Sequence, residues 1–265
     1  MHSDCHVHVR GTEDAKKVLA SMDKNGVERA VLLGRSGKTL DEQKASNDGL
    51  AKLCSAEPKR LVAFARIDPR LAGIEGEIKR CREKLGMAGV KMLPDHWAPC
   101  DDFMMPIYKT IESLRMPILF HSGILWGNAD SSRFCRPALF EPVIHFPKLT
   151  IALAHIGWPW TDECIAVCHR FVHLARHEKR KKPQVFIDTT RGTPPVYRSD
   201  AIRKAIDCCG VAPILFGSDT GGAEDLSNSA EHARLDAEIL NDLGLSDEDI
   251  AAILRTNLDR FMSAD

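Results

Sequence analysis

The sequence predicts a (β/α)8 barrel, an α/β fold in a single domain spanning 1–265 with one extra helix at the C-terminal end. Three observations predict it. Short apolar, β-branched runs recur eight times, each is followed by a turn and a stretch of helical periodicity, and 265 residues match the usual barrel length of about 250. The first run, 5–9, reads Cys-His-Val-His-Val and leads into a helical stretch at 12–25. Run 30–34 precedes a helix at 41–55, and run 61–67 one at 73–85. Run 89–93 is followed by 105–114, run 117–121 by 136–146, and run 150–155 by 161–181. Run 185–189 leads to 198–209, and run 214–217 to 228–243. A last helix over 246–261 opens on Ser246-x-x-Asp249, the pattern of an N-cap box with Asp in place of the usual Glu.

Strand-then-helix alternation demands parallel pairing, because parallel strands need a crossover connection. An open doubly wound sheet is the competing architecture. It would carry a Gly-rich phosphate loop after its first strand, where this chain has His-Val-His-Val-Arg. No linker, internal repeat or low-complexity segment divides the chain. The basic run Lys179-Arg180-Lys181-Lys182 falls at a helix end, where a solvated face favoured by the helix dipole is expected.

Composition removes several classes of function. Lys and Arg number 36 against 37 Asp and Glu, a net charge of −1, so the chain lacks the basic footprint of a nucleic-acid binder. No stretch approaches the run of about 18–20 apolar residues that crosses a bilayer, and Met1-His2-Ser3-Asp4 lacks the basic and apolar regions of a secretory signal. Nine cysteines at irregular spacings, two of them adjacent at Cys208 and Cys209, suit reduced thiols in a cytoplasmic protein. Cys164-x3-Cys168 has no partner pair at finger spacing. The composition is otherwise ordinary except for 11 His beside 2 Tyr.

The histidines fall where a barrel keeps its chemistry, at the C-terminal ends of strands. His6 and His8 close the first run, and two residues apart on a strand means a shared face, with Cys5 and Val7 on the other. Lys91 lies on the fourth run, His121 closes the fifth, His155 the sixth, and Asp219 follows the eighth. Singly, each is as well read as a hydrogen-bonded core histidine or a capping carboxylate. Together, imidazoles and a carboxylate converging on one rim need a partner, and a divalent ion supplies it.

These motifs resemble the amidohydrolase superfamily of metal-dependent barrel enzymes. The resemblance runs from Asp4 to Phe261 through Asp4-Cys5-His6-Val7-His8, Gly89-Val90-Lys91-Met92-Leu93-Pro94, Ala154-His155-Ile156-Gly157, Phe216-Gly217-Ser218-Asp219 and Asn257-x-x-Arg260-Phe261. Within it, these features are similar to the branch containing aminocarboxymuconate semialdehyde decarboxylase, related aromatic-acid decarboxylases and lactone hydrolases. The resemblance implies one divalent ion, zinc by preference, held by His6, His8, His121 and Asp219, with His155 as acid/base beside it. A second ion bridged by a carboxylated Lys91 is the alternative it leaves open.

Arg10, Arg35, Arg66, His96, Trp97, Trp126 and Arg191 lie just beyond strand ends. Basic groups around the mouth point to a small carboxylate-bearing substrate, since guanidinium binds carboxylate through two parallel hydrogen bonds. Lys91, Arg191 and Trp126 are the expected substrate contacts, with His155 and Asp219 as proton carriers. The expected reaction is hydrolysis of an amide, ester or lactone; non-oxidative decarboxylation at the same site is the alternative. A metal-dependent binding protein is the non-enzymatic alternative, disfavoured because all five expected residues are intact. His169, His173 and His177 share one face of the sixth helix, where a solvated surface is expected. The partner is a small molecule rather than nucleic acid or membrane, and a homo-oligomer is left open.

Overall fold

The computed structural model describes residues 1–127 and 129–263. Its strands are β1 (His2–His8), β2 (Val27–Leu33), β3 (Leu61–Arg66), β4 (Gly89–Met92), β5 (Ile118–Phe120), β6 (Ile151–Leu153), β7 (Val185–Asp188), β8 (Ile214–Leu215) and β9 (Thr220–Gly221). All pair in parallel, in the order β8-β7-β6-β5-β4-β3-β2-β1-β9. The two ends of that order belong to one stretch of chain, 214–221. Its first half pairs with β7 and its second half with β1, and between them Cys5 N donates to Phe216 O at 3.1 Å and Asp219 N to His6 O at 2.9 Å. The expected eighth strand is thus present in two pieces, and it closes a TIM-type barrel with Asp219 at the joint.

Helices α1 (Ala15–Lys24), α2 (Leu40–Cys54), α3 (Ile74–Glu83), α4 (Met104–Ser113), α5 (Ser131–Phe134), α6 (Thr161–His177), α7 (Pro195–Cys209), α8 (Ser227–Asp242), α9 (Asp247–Ala251) and α10 (Asn257–Met262) surround it. Asp14, Thr39 and Ser246 cap α1, α2 and α9 by accepting from backbone N–H groups two or three residues on, as short polar side chains do at N-termini. The stretch 137–145 is a 3-10 helix rather than an α-helix, because Pro142 lies inside it and removes a backbone donor. The last helix is not continuous. A π-helical turn at 252–256 separates α9 from α10, and beside it the Asn257 amide donates to Val211 O and Ile214 O, both at 2.9 Å. Helix α6 stops four residues short of the expected 181, on Lys179 in the left-handed region, with Arg180 N reaching back to Ala175 O. Lys182 is buried rather than solvated; its ammonium donates to the carbonyls of Phe261 and Ser263.

Alternation along the strands divides the apolar side chains into two sets. One packs strands against helices. The other fills the barrel, with Val31, Leu33, Phe64, Leu119, Phe186 and Leu215 stacked over Phe261 of α10, whose ring lies 5.4 Å from that of Phe186. Cys5 belongs to the inner set and Val7 to the outer one, contrary to simple alternation. The cause is a bulge: between Asp4 and Val7 β1 carries one residue more than its β2 partner segment, which re-aims the side chains next to the mouth.

Two buried polar links lock helices to the strands beneath the site. Arg198 of α7 holds Asp236 of α8 through two nitrogens at 2.7 Å, Asp236 accepts from Thr189 Oγ1 at 2.8 Å, and Arg198 donates to Thr190 O. His2 Nε2 lies 2.9 Å from Ser229 Oγ, which donates to Asp4 Oδ2 at 2.6 Å, while Asp4 Oδ1 accepts from the N–H groups of His6 and Ser218.

Removing one partner of a buried ion pair leaves the other uncompensated, so Asp236→Ala is expected to cost about 3–5 kcal/mol in urea unfolding, well above an exposed control such as Asp200→Ala. Burial lowers the His2 imidazole from 6.5 to about 4. The unfolded chain then takes up this proton first on acidification, so a penalty absent above pH 6.5 grows to about 3 kcal/mol by pH 4. His2→Gln keeps a donor for Ser229 and is expected to flatten the fall of the unfolding midpoint between pH 7 and 5; parallel profiles would contradict it.

Candidate metal centre

Three side chains from the two ends of the chain meet at the mouth. The Nε2 atoms of His6 and His8 are 3.2 Å apart, and Asp219 Oδ1 lies 3.5 Å from the first and 3.1 Å from the second. Their ligand atoms lie within 4.8 Å of one another, and among the described residues they form the one such cluster of His, Cys, Asp or Glu. His6 is fully buried, whereas His8 and Asp219 are partly open to a cavity of about 1010 Å3. Burial lowers the pKa of both imidazoles, leaving them neutral and able to donate lone pairs. For Asp219 burial acts the other way, but the His6 ring and the hydrogen bond from His8 outweigh it and hold the carboxyl well below its usual range.

His121 and His155 form a second pair beside the trio, with His155 Nε2 3.2 Å from His121 Nδ1 and the His155 ring 5.5 Å from that of His6. His121 lies outside the compact trio, but its Nε2 is a buried atom without a protein hydrogen-bond partner. Two facing imidazoles, a carboxylate and an orphaned ring nitrogen are the donor chemistry of a site for a divalent first-row ion with an open position. Lys91 Nζ, fully buried at the cavity floor, lies 3.2 Å from His6 Nε2.

Asp188, which closes β7, was not among the expected site residues, yet it joins these pieces. Fully buried, it accepts from His6 Nδ1 at 2.9 Å, His155 N at 2.8 Å, Thr190 N at 3.1 Å and the Thr190 hydroxyl. Burial would raise its pKa, but the hydrogen bonds from His6 and Thr190 prevail and keep it ionised. Thr190 spends its hydroxyl proton on Asp188, and its oxygen lies 2.6 Å from His155 Nδ1, towards which Gly192 N–H also points at 3.3 Å, so the ring is held with Nε2 on the His121 side. The sequence signal was the same one that marked the histidines, a polar residue ending a buried run.

Backbone conformation serves the same geometry. His155 and Asp219 both sit in the left-handed region, at φ 63° and 58°, where non-glycine residues are strained. Gly192 passes so close to the His155 ring that a Cβ there would lie 2.4 Å from it. Arg191, the expected contact at this loop, is exposed and outside the cavity lining; the glycine beside it occupies the wall because only a bare backbone fits against His155. Trp126 does line the mouth, 82% exposed and stacked on Trp158 at 6.4 Å. Trp97 is a packing residue against Phe103 and Phe120, and His96 is exposed beside Phe134. On α6, His169 turns to Cys208 O and, like His173 and His177, is exposed.

A parallel barrel with this cluster at its strand ends has the build of a metal-dependent enzyme. The family model described as amidohydrolase matches residues 3–261, and the chain belongs to that family. Its members bind a divalent ion, which the His-His-Asp trio fits. Among solved structures it is similar to 2,6-dihydroxybenzoate decarboxylase from Rhizobium, at TM-score 0.70 and 18% identity with 98% of each chain covered. A 5-carboxyvanillate decarboxylase from Novosphingobium aromaticivorans with bound manganese matches at TM-score 0.66 and 16% identity, over 95% of this chain and 81% of that one. A probable 2-pyrone-4,6-dicarboxylic acid hydrolase from Acinetobacter baumannii matches at 0.66 and 13%, over 98% of each. The chain matches no curated protein, and no helix among the described residues is long and apolar enough to cross a membrane.

Partners that orient a ligating histidine carry a tenfold to hundredfold share of ion affinity. Asp188→Ala is therefore expected to weaken binding of zinc about 10–100-fold in a competitive chelator titration, with far-UV circular dichroism unchanged; an unaltered affinity would remove Asp188 from the centre.

Proposed function

We propose that this chain is a metal-dependent hydrolase acting on a small, carboxylate-bearing amide, ester or lactone. The observation that carries the reading is the cavity wall around the trio. It is built from polar and charged groups, including Arg10, Thr12, Arg35, Ser36, Arg66 and Asn228, with only Val9, Leu93, Ile124 and Trp126 as apolar members. The acids Glu13, Glu224 and Asp225 also line it, with oxygens taken up by backbone N–H groups. Such a wall favours a hydrophilic anion over an aromatic ring that would need apolar faces on both sides. Decarboxylation of an aromatic or unsaturated acid is the second reading, supported by the fold likeness to two decarboxylases.

His6, His8 and Asp219, joined by His121 through its unpartnered Nε2, would hold one divalent ion, zinc by the preference of imidazole and carboxylate donors. When bound, the ion would polarise a carbonyl and make water easier to deprotonate, lowering its pKa from 15.7 towards about 7. The chain's own residues supply the rest. Burial holds the His155 ring neutral, its pKa lowered from 6.5 to about 4. Thr190 orients the ring through Nδ1, and Nε2 would accept a proton and later return it to the leaving group. Asp219 is placed as a second proton carrier, and Lys91 holds the floor of the cavity against His6. Trp126 shields the mouth.

Metal analysis of the protein as isolated is expected to give about one equivalent; two would favour a bridging, carboxylated Lys91. His8→Ala is expected to lose both ion and turnover. His155→Ala is expected to keep most of the ion while kcat falls about 10²–10⁴-fold. Release of carbon dioxide from hydroxybenzoates, without turnover of carboxylated lactones, esters or amides, would replace hydrolysis with the second reading.

A further inference from the structure

We propose that Arg66 forms a dedicated carboxylate subsite in the wall beside the metal trio, which grips an anionic group of the substrate separate from the bond that is broken. The inference rests on the reading of this cavity as a substrate site, and it assigns the residue that selects for charge.

Arg66 ends β3, is only 8% exposed, and lines the cavity. Buried cations are ordinarily paired. The comparably buried Arg198 obeys that rule by clasping Asp236. Arg66 does not: among the described residues no carboxylate lies within 4.0 Å of it, and its one side-chain hydrogen bond runs from Nε to Ser36 Oγ at 2.6 Å. The nearest acids do not pair with it. Asp68 spends both oxygens on Arg70, and Asp95, whose Oδ1 lies 3.2 Å from Arg70 without a hydrogen bond, stays more than 4.0 Å from Arg66. On the cavity wall Glu13 is taken up by the N–H groups of Arg10, Gly11 and Thr12, and Glu224 by that of Asp14.

With Nε anchored by Ser36 and the backbone N–H held by Asn47 Oδ1 at 3.1 Å, the guanidinium is fixed in orientation. Its two Nη groups have no acceptor among the described residues, Arg66 lines the cavity, and a planar carboxylate fits such an end-on fork. Burial lowers the Arg66 pKa to about 10, so the group stays cationic at neutral pH. Arg35 and Arg10, also without a carboxylate partner among the described residues, line the same cavity and add to its positive charge.

The test is calorimetric titration of the protein as isolated with succinate, using succinamide as the uncharged probe. The comparison is with Arg66→Met, Arg66→Lys and Ser36→Ala at matched ion content. Succinate is expected to bind saturably and succinamide not. Arg66→Met is expected to weaken succinate about 10-fold or more, and Arg66→Lys to restore only part, because lysine lacks the fork. Ser36→Ala, which leaves the charge in place, is expected to weaken it about threefold; it and Arg66→Lys carry the test if Arg66→Met does not fold. Equal affinity in wild type and Arg66→Met, or no saturable succinate binding in wild type, would overturn the subsite. The two readings separate cleanly. Arg66-dependent binding without any hydrolysis retains the subsite and removes the hydrolase, whereas hydrolysis with KM unchanged in Arg66→Met does the reverse.

Discussion

One buried carboxylate sets the geometry of the mouth. Asp188 is wholly out of water, a position a charge occupies only when its lone pairs are filled. They are filled by His6 from β1, by the His155 amide after β6, and by Thr190 from its own loop. The same anion therefore orients a prospective ligand and, through Thr190, a prospective base. Because both depend on one group at the end of β7, the position of that strand end decides how far the base stands from the trio. The Arg198–Asp236 pair beneath it, bonded to Thr189 and Thr190, makes that position rigid.

Rigidity at this point has to withstand strain. His155 and Asp219 are held at positive φ, which costs on the order of 1–3 kcal/mol each. Asp219 is kept there by its bond to His6 O across the barrel closure, and His155 by Asp188 at its N–H and Thr193 at its carbonyl. The strained residues are those that point inward at the cavity. The relaxed alternative would turn their side chains along the strand and undo the cluster. The bulge in β1 belongs to the same compromise. It sends Cys5 into the barrel filling and leaves His6 and His8 at the rim.

Much of the architecture was legible because eight apolar runs and the helices between them obey simple periodicities, and because a histidine ending such a run is conspicuous. Asp188 was less legible, although it ends a run in the same way, since an aspartate there reads equally well as a cap. Gly192 was hidden by its neighbour: arginine draws the eye, but the close approach to His155 requires the residue with no side chain. The bulge and the π-helical turn escape any pattern of period 2 or 3.6, for each is one residue out of phase. Pro142 was visible in the sequence, and it accounts for the 3-10 helix where an α-helix was expected.

Charge is distributed at the mouth in a way that separates two tasks. The trio combines neutral imidazoles with a single carboxylate, a set that attracts a cation without repelling it. The wall beside the trio carries arginines whose potential carboxylate partners are engaged by backbone amides or by Arg70. Had Glu13 or Asp68 been free, each would have neutralised Arg10 or Arg66 and left the cavity indifferent to substrate charge. Occupying those acids with amides and a neighbouring arginine preserves an electropositive wall a short distance from a cation-seeking cluster. An anion entering the mouth would be drawn to the arginines, and a carboxylate held there would leave the rest of the molecule towards the histidines.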